Sequence, residues 1–281
     1  MCYLFILIFA VFCLFPFLLL IMSSITEENT LVMEGFSILP SKLSLNAYRL
    51  LLQTRTIYDA YKVTIFVTVM GTGLSMILSS AMAYALSVKT FKLRGSISLY
   101  MYFTMLFGGG LVPSYILISK GLHLNNNIWV LILPALISPW NTFLLRNFFN
   151  SVPDSLAESA KIDGANDVYI LFKIIIPISL PAMATISLFY ALSYWNEWFR
   201  AMLYISNEQL YPLQYLIMSI IRNMNYANSI AAQTQGSIGY TLPTYTVRMA
   251  TTVVTIGPIV LLYPFLQKYF VKGLTVGSIK G

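Results

Sequence analysis

Apolar stretches recur along the chain at a length set by membrane thickness. A bilayer core about 30 Å thick takes roughly 20 mostly apolar residues per helix. Six stretches free of Asp, Glu, Lys and Arg meet that demand: Met1 to Thr26, Val63 to Val88, Gly95 to Ser119, Leu124 to Leu145, Ile174 to Asn196 and Met249 to Gln267. A seventh uncharged stretch, Asn223 to Val247, is rich in Asn, Gln, Ser, Thr, Tyr and Gly. Those polar groups would be costly in lipid, so the stretch is read as a loop. The first stretch lacks a basic leader and an A-x-A cleavage site and is longer than a signal-peptide core, so it is read as a span. The pattern predicts an all-α membrane protein of six transmembrane helices.

Composition agrees. Of 281 residues, 58% are hydrophobic and 10% charged, with a mean hydropathy of +0.74, whereas soluble domains carry about 25% charged residues. Soluble enzymes, secreted disulfide scaffolds and disordered chains are excluded, because too few polar side chains remain to cover a surface facing water. The net charge of +7 then reports how Lys and Arg are distributed across the bilayer, with membrane lipid and not nucleic acid as the surrounding partner. Lys89, Lys92 and Arg94, and Lys268, Lys272 and Lys280, stand in short segments without acids, which places both on the cytoplasmic side. Ser23 to Lys62 is longer and balanced, and is expected outside. Six crossings then put both termini in the cytoplasm. Cys2 and Cys13, about 16 Å apart along a helix, are too distant for a disulfide and are expected to be buried and inert.

Local features add detail. Leu210 to Ile221 is apolar enough for an amphipathic helix lying on the bilayer or under a partner. Glu197 and Arg200 form an i,i+3 pair that lowers the cost of both charges at the interface, beside the belt residues Trp195 and Trp198. Gly108, Gly109 and Gly110 with Pro113 loosen the third span, serving either close helix packing or a gate. His123 is the only histidine, so no His-based metal cluster can form. No repeat and no linker divides the chain.

Between the fourth and fifth spans, Ser151 to Pro177 reads as two short helices. Ser151 is placed to cap the first, with Pro153 in its opening turn, and Gly164 to end it in a left-handed conformation; Asn166 or Asp167 caps the second, which closes at Pro177. Val168, Leu171, Phe172 and Ile175 share one helical face and are expected to pack inward. Ala157, Ala160, Gly164 and Ala165 leave a corner of small side chains beside Glu158, Lys161 and Asp163, a knob that another protein's backbone could approach closely.

The run Glu158-Ser-Ala-Lys-Ile-Asp163-Gly164-Ala165, followed by Phe172 and Pro177, resembles the E-A-A-x-x-D-G-A-x(6)-F-x(4)-P loop of ABC-importer permeases, with Ser159 in place of an alanine. The likeness extends to Leu106 to Tyr115, Asn141 to Phe149, Trp195 to Trp198, Tyr211 to Gln214 and Tyr263 to Gly273, which resemble the carbohydrate-importer branch that includes the smaller maltose permease subunit. The resemblance implies a type I importer permease fold: residues 1–60 as first helix and external segment, 61–270 as a core of five helices with a coupling loop at 151–177, and 271–281 as a cytoplasmic tail. It further implies a second permease in a heterodimer, two cytoplasmic ATPase subunits, an extracytoplasmic sugar-binding protein and residence in a bacterial inner membrane. Glu158, Ala160, Asp163, Gly164 and Ala165 would then couple to the ATPase. No G-x-x-x-x-G-K-[ST] is present, so the chain is read as no enzyme and without a cofactor, with ATP and magnesium held by the partner. Gly109, Asn141, Tyr190, Tyr194 and Asn196 are candidates for an oligosaccharide path, against interhelical bonding and interface anchoring as the plainer role. A self-contained channel or an ion-coupled carrier is the alternative; a carrier would keep charges within its spans, and these are bare.

Overall fold

The computed structural model describes residues 2–53, 55–233 and 245–258. In chain order the helices are α1 Cys2–Ser24, α2 Glu28–Glu34, α3 Asn46–Gln53, α4 Arg55–Ser87, α5 Arg94–Leu106 and α6 Leu111–Ile116, which runs on as a π turn, Leu117–Gly121. Two 3-10 turns, Ile128–Leu131 and Leu133–Ala135, precede α7 Pro139–Phe149 and α8 Asp154–Ile162. Then come α9 Asp167–Ile170, a π turn at Leu171–Ile175, α10 Ile176–Ile178, α11 Leu180–Trp195, α12 Phe199–Tyr204 and α13 Leu213–Gln233. Residues 245–258 are also helical. The described residues are all-α apart from one isolated bridge between Thr26 and Leu43.

Only α1 and α4 are long and apolar enough to cross a membrane unbroken, and the described residues hold up to five spans when three bent helix pairs each count as one. The expected sixth, Met249 to Gln267, runs into 259–281; those residues, with Tyr263 to Gly273 and the tail, lie outside the described ones. The bends have local causes. The third span breaks by 112° between α5 and α6 at Gly108–Gly110, where Gly110 takes φ +85° and ψ 167°, a region open essentially to glycine alone. A Cβ on Gly108 or Gly109 would meet nothing within 4 Å, so these glycines make no close packing among the described residues. The fourth span is a 3-10 segment followed by α7, bent by 49°, with Pro134 in the second 3-10 turn and Pro139 opening α7. The fifth expected span begins late. Ile174 to Ile178 belong to the rod α9–α10, and the chain turns by 91° before α11, whose first turn holds Pro181.

The described residues fall into two compact units, one of residues up to Tyr61 with 211–258, the other of Lys62–Leu210. In the first, α1 is apolar on every side and exposed along nearly its whole length, with Tyr3 90% and Phe12 75% accessible, as suits lipid contact. Cys13 lies on that surface as a free, exposed thiol, against the expectation of burial, because none of the described residues covers it there. Leu213, Leu216 and Ile217 of α13 are buried against Ala47 and Leu51 of α3, Ile57 and Ala60 of α4, and Val247 and Ala250. The amphipathic face expected on a bilayer or a partner is thus filled by this chain's own helices. Asn223 to Gln233, expected as loop, continue α13, since they extend a helix already nucleated by its packed first turns. The rest of that stretch, 234–244, is outside the described residues.

Glu28 in α2 reaches across the sequence to the start of the helix at 245–258. Its carboxylate accepts from the Tyr245 and Thr246 amides at 2.9 and 2.8 Å and from the Thr246 hydroxyl at 2.6 Å. It is a tertiary N-cap, a carboxylate set on first-turn donors and on the positive end of the helix dipole.

In the second unit α4 and α11 pack at the closest approach that side chains allow. Gly71 faces the ring of Tyr194, where a Cβ would sit 2.7 Å from ring carbons. One turn apart on α11, Tyr190 and Tyr194 are 2% and 1% exposed. The Tyr190 hydroxyl bonds Ser79 at 2.6 Å and accepts from the Ser138 amide at 3.0 Å. The Tyr194 hydroxyl bonds Ser75 at 2.9 Å and donates to the Ile132 carbonyl at 3.3 Å. Ile132 and Ser138 flank the break in the fourth span: Tyr190 takes the Ser138 amide, and Tyr194 adds a second bond to the Ile132 carbonyl, which also accepts from the Ala135 amide at 3.1 Å.

Two outcomes test this packing. Glu28→Ala is expected to lower the unfolding midpoint of the detergent-solubilised protein by several degrees, since orphaning such donors costs about 1–3 kcal/mol; an unchanged midpoint would show that the cap is dispensable. Gly71→Val is expected to displace the Tyr194 ring and cost about 1–3 kcal/mol, read as a lower midpoint and as faster proteolysis within α11.

Candidate functional site

The corner between α8 and α9 is built by backbone chemistry. Asp163 ends α8, Gly164 takes φ +84°, the Gly164 amide donates to Lys161 O at 3.1 Å and the Ala165 amide to Ala160 O at 2.9 Å. That is a complete Schellman motif, which closes the last carbonyls of α8 and requires a left-handed residue at its centre. A Cβ on Gly164 would meet nothing within 4 Å, so the glycine is dictated by backbone conformation and leaves an open surface. The second helix is capped by Asn166, whose side chain accepts from the Tyr169 amide at 2.8 Å. Ser151 does not cap the first; its hydroxyl donates to Phe148 O at 2.6 Å, closing the turn after α7, and α8 starts beyond it at Asp154, behind Pro153.

The inward face of the second helix differs from the expected one. Ile170, Leu171 and Ile175 are buried, while Val168 and Phe172 are 65% and 47% exposed. Val168 stands in the first turn of α9, ahead of the buried Ile170, and Phe172 lies within the π turn at Leu171–Ile175, whose extra residue departs from a strict 3.6-residue period. Val168, Tyr169 and Phe172 therefore join Ile162, 88% exposed, as apolar surface around the corner.

Of the five expected coupling residues, Ala160, Asp163, Gly164 and Ala165 line one open groove of about 480 Å³ with Tyr169 and Lys173. Glu158 lines a different cavity, of about 210 Å³, with Tyr84, Lys89, Asp154 and Lys161. Two ion pairs brace this second cavity: Lys89 with Asp154 at 2.5 Å and Lys161 with Asp167 at 3.0 Å. The Tyr84 hydroxyl donates to the same Asp167 oxygen at 3.1 Å. The Lys161 hydrogen bond holds the Asp167 carboxyl below the usual carboxylate range, and the bond from Tyr84 acts in the same direction. Asp167 therefore stays a charged acceptor at neutral pH. Sequence reasoning missed Tyr84, which lies in an uncharged stretch, and named Asp167 only as an alternative cap.

The five candidates for a path occupy dissimilar places. Tyr190 and Tyr194 are buried, with hydroxyls engaged between helices as above. Asn141 is 8% exposed in the first turn of α7. Gly109 is exposed in the break after α5, and Asn196 is exposed with its amide donating to Leu192 O at 2.9 Å. Glu197 and Arg200 pair as expected, with side chains 8% and 19% exposed, and Glu197 also accepts from the Arg200 amide at 2.8 Å, capping α12. Trp195 is buried at 8%, leaving Trp198, 38% exposed, as the belt residue of that pair. Among the described residues no group of three or more His, Cys, Asp or Glu side chains could hold a metal ion.

The geometry finds close parallels. Residues 2–276 match the family model described as binding-protein-dependent transport system inner membrane component. The chain is 44% identical over 282 residues to the polygalacturonan/rhamnogalacturonan transport system permease protein YtcP of Bacillus subtilis, covering 99% of this chain and 96% of that one. It is 30% identical to the trehalose/maltose transport system permease protein MalG of Thermococcus litoralis, covering 97% and 93%. A chain from the crystal structure of a bacterial ABC transporter involved in the import of the acidic polysaccharide alginate superposes with a TM-score of 0.83 at 32% identity, covering 95% of this chain and 94% of that one. The chain therefore belongs to the binding-protein-dependent transport system inner membrane components, multi-pass permeases of ABC transporters that are not themselves ATPases and work with a binding protein and a separate ATPase.

Proposed function

We propose that this chain is one permease subunit of an ABC importer that takes up oligosaccharides derived from an acidic polysaccharide, and that its α8–α9 corner is the handle gripped by the ATPase. The observation that carries the second part is the corner itself. Its Schellman motif fixes the backbone rigidly, while Ala160, Gly164 and Ala165 keep the groove shallow enough for another protein's backbone and Asp163 and Glu158 offer charge. The exposed Ile162, Val168, Tyr169 and Phe172 supply apolar area beside it, the mixture expected of an interface anchor with a polar rim. The first part is supported by two relatives of high coverage, the 44%-identical permease for polygalacturonan and rhamnogalacturonan and the 32%-identical chain of the alginate importer.

The same reading extends to the rest of the assembly. The bundle has six spans with both termini in the cytoplasm, a core at 61–270 and a tail at 271–281, and pairs with a second, different permease over two ATPase subunits. ATP-driven closure of the ATPases moves the corner and switches the bundle between outward-open and inward-open states. Along the sugar path Gly109, Asn141 and Asn196 offer backbone and amide groups. Tyr190 and Tyr194 act from behind, because their burial leaves them to hold the wall and not to touch sugar.

Gly164→Trp and Asp163→Arg are each expected to leave the protein in the membrane and reduce uptake on the order of thirtyfold, the effect of losing an interface hot spot of about 2 kcal/mol. Uptake assays with quantitative membrane blots check this, and normal uptake in both variants would remove the corner from the coupling role. For the substrate, affinity purification is expected to recover an ATPase and a second permease. Calorimetry on the associated binding protein is expected to show tight binding of oligogalacturonides and weak binding of maltooligosaccharides; the reverse preference would redirect the substrate to neutral sugars.

A further inference from the structure

The corner is attached to the bundle at more than one point, and the second point lies outside the loop itself. The rod α9–α10 leads into α11 through the 91° bend at Ser179, whose amide is shared between the Ile175 and Ile176 carbonyls at 3.0 and 3.1 Å. A lever joined to its load at one bend can swivel there, and movement at the corner would be spent in rotation. Asp167, the first residue of α9, stands about 18 Å from Ser179 along the rod at 1.5 Å per residue. There it accepts from Tyr84 near the end of α4. Tyr84 is 8% exposed and follows the fully buried Ala83, so its hydroxyl is the group that a tightly packed helix extends to the loop. Lys161, on the other side of the Gly164 turn, holds the same carboxylate oxygen, so the two arms of the corner and α4 meet at one atom. Further along α4, Ser79 and Ser75 are bonded to Tyr190 and Tyr194 of α11. Both attachments of the rod therefore feed one locked helix pair. Ile170, Leu171 and Ile175 also bury apolar surface along the rod, a non-directional contact that a sliding or turning rod keeps in part. The ion pair of Lys89 with Asp154, whose side chains are 74% and 63% exposed, is worth no more than about 1 kcal/mol once screened by solvent.

We infer that Tyr84 and Asp167, with Lys161, are positioning residues for transport: their junction prevents the corner from swivelling at Ser179 and converts its displacement into movement of the α4–α11 pair. The inference rests on the proposed coupling role of the corner and adds the part of this chain through which the stroke is delivered. Breaking the junction uncouples the machine, since ATP is still consumed but less of the stroke reaches the bundle.

The test uses the complete transporter, with its partner permease, ATPases and binding protein, in liposomes, measuring ATP hydrolysed per sugar imported. Tyr84→Phe and Asp167→Asn are each expected to raise that ratio on the order of tenfold, the scale of a lost hydrogen bond to a charged group. The double variant is expected to be no worse than either single one, and Asp167→Glu to restore most of the coupling. Gly164→Trp serves as the comparator. If Gly164→Trp raises the ratio while Tyr84→Phe and Asp167→Asn leave it unchanged, the junction is not part of the drive, although the corner remains the handle. If none of the three moves it, the corner reading falls as well. If the Tyr84 and Asp167 variants lose the ATPase on purification in place of uncoupling, the junction is only a structural brace and the inference is overturned.

Discussion

Unsatisfied backbone groups are the constraint on which this structure turns. A helix that crosses lipid unbroken satisfies its own amides and carbonyls, as α4 does and as α1 does apart from the bond that Pro16 removes. Three of the apolar stretches are broken instead, and in hydrocarbon each opened N–H or C=O costs several kcal/mol unless protein or enclosed water takes it. At the break before α7 Tyr190 takes the Ser138 amide, and Tyr194 adds its hydroxyl to the Ile132 carbonyl, which the Ala135 amide also bonds. The same two hydroxyls bond Ser79 and Ser75 of α4. One pair of phenols thus repairs the irregular span and locks two others to each other, and Gly71 leaves the room for it.

Rigidity of this kind bears on transport. A permease driven from outside its own chain must carry displacement from the contact to the bundle without dissipating it, and interfaces pass motion only where elements shift between discrete arrangements. The corner contributes a Schellman turn that needs glycine at one position, and a second helix that presents Val168 and Phe172 outward. The α4–α11 pair contributes a load that moves as one body. The chain brings no chemistry of its own to this cycle. It supplies geometry, and its polar groups are spent on holding that geometry.

Legibility differed by residue for physical reasons. Gly164, Asp163 and their neighbours were readable because turn chemistry is local: a left-handed residue after a short helix calls for glycine wherever it occurs. Asn166 and Asp167 were both acceptable caps on sequence grounds, and only the bond to the Tyr169 amide decides for Asn166. Phe172 was misplaced because a π turn at Leu171–Ile175 shifts the register without any marker in composition, and Val168 because periodicity alone does not say that the first turn of α9 stands clear of the core. Leu213 to Ile217 showed their amphipathic face plainly, yet the face could not name its occupant, which is contributed by α3, α4 and residues near 247, far away in sequence. Glu28 looked like one more balancing charge and proves to cap a helix 217 residues downstream.

The sequence by itself determined that the chain is a helical membrane protein with a capped, small-residue corner, because apolar run length, charge placement and turn propensities act within a few residues of one another. The tertiary structure alone decided which apolar stretches break, which buried hydroxyls repair them, which face of α9 looks outward and where Tyr84 meets Asp167. Those are contacts between residues dozens to hundreds of positions apart, and no local periodicity encodes which of many polar groups will stand within hydrogen-bonding reach of another once the helices have packed.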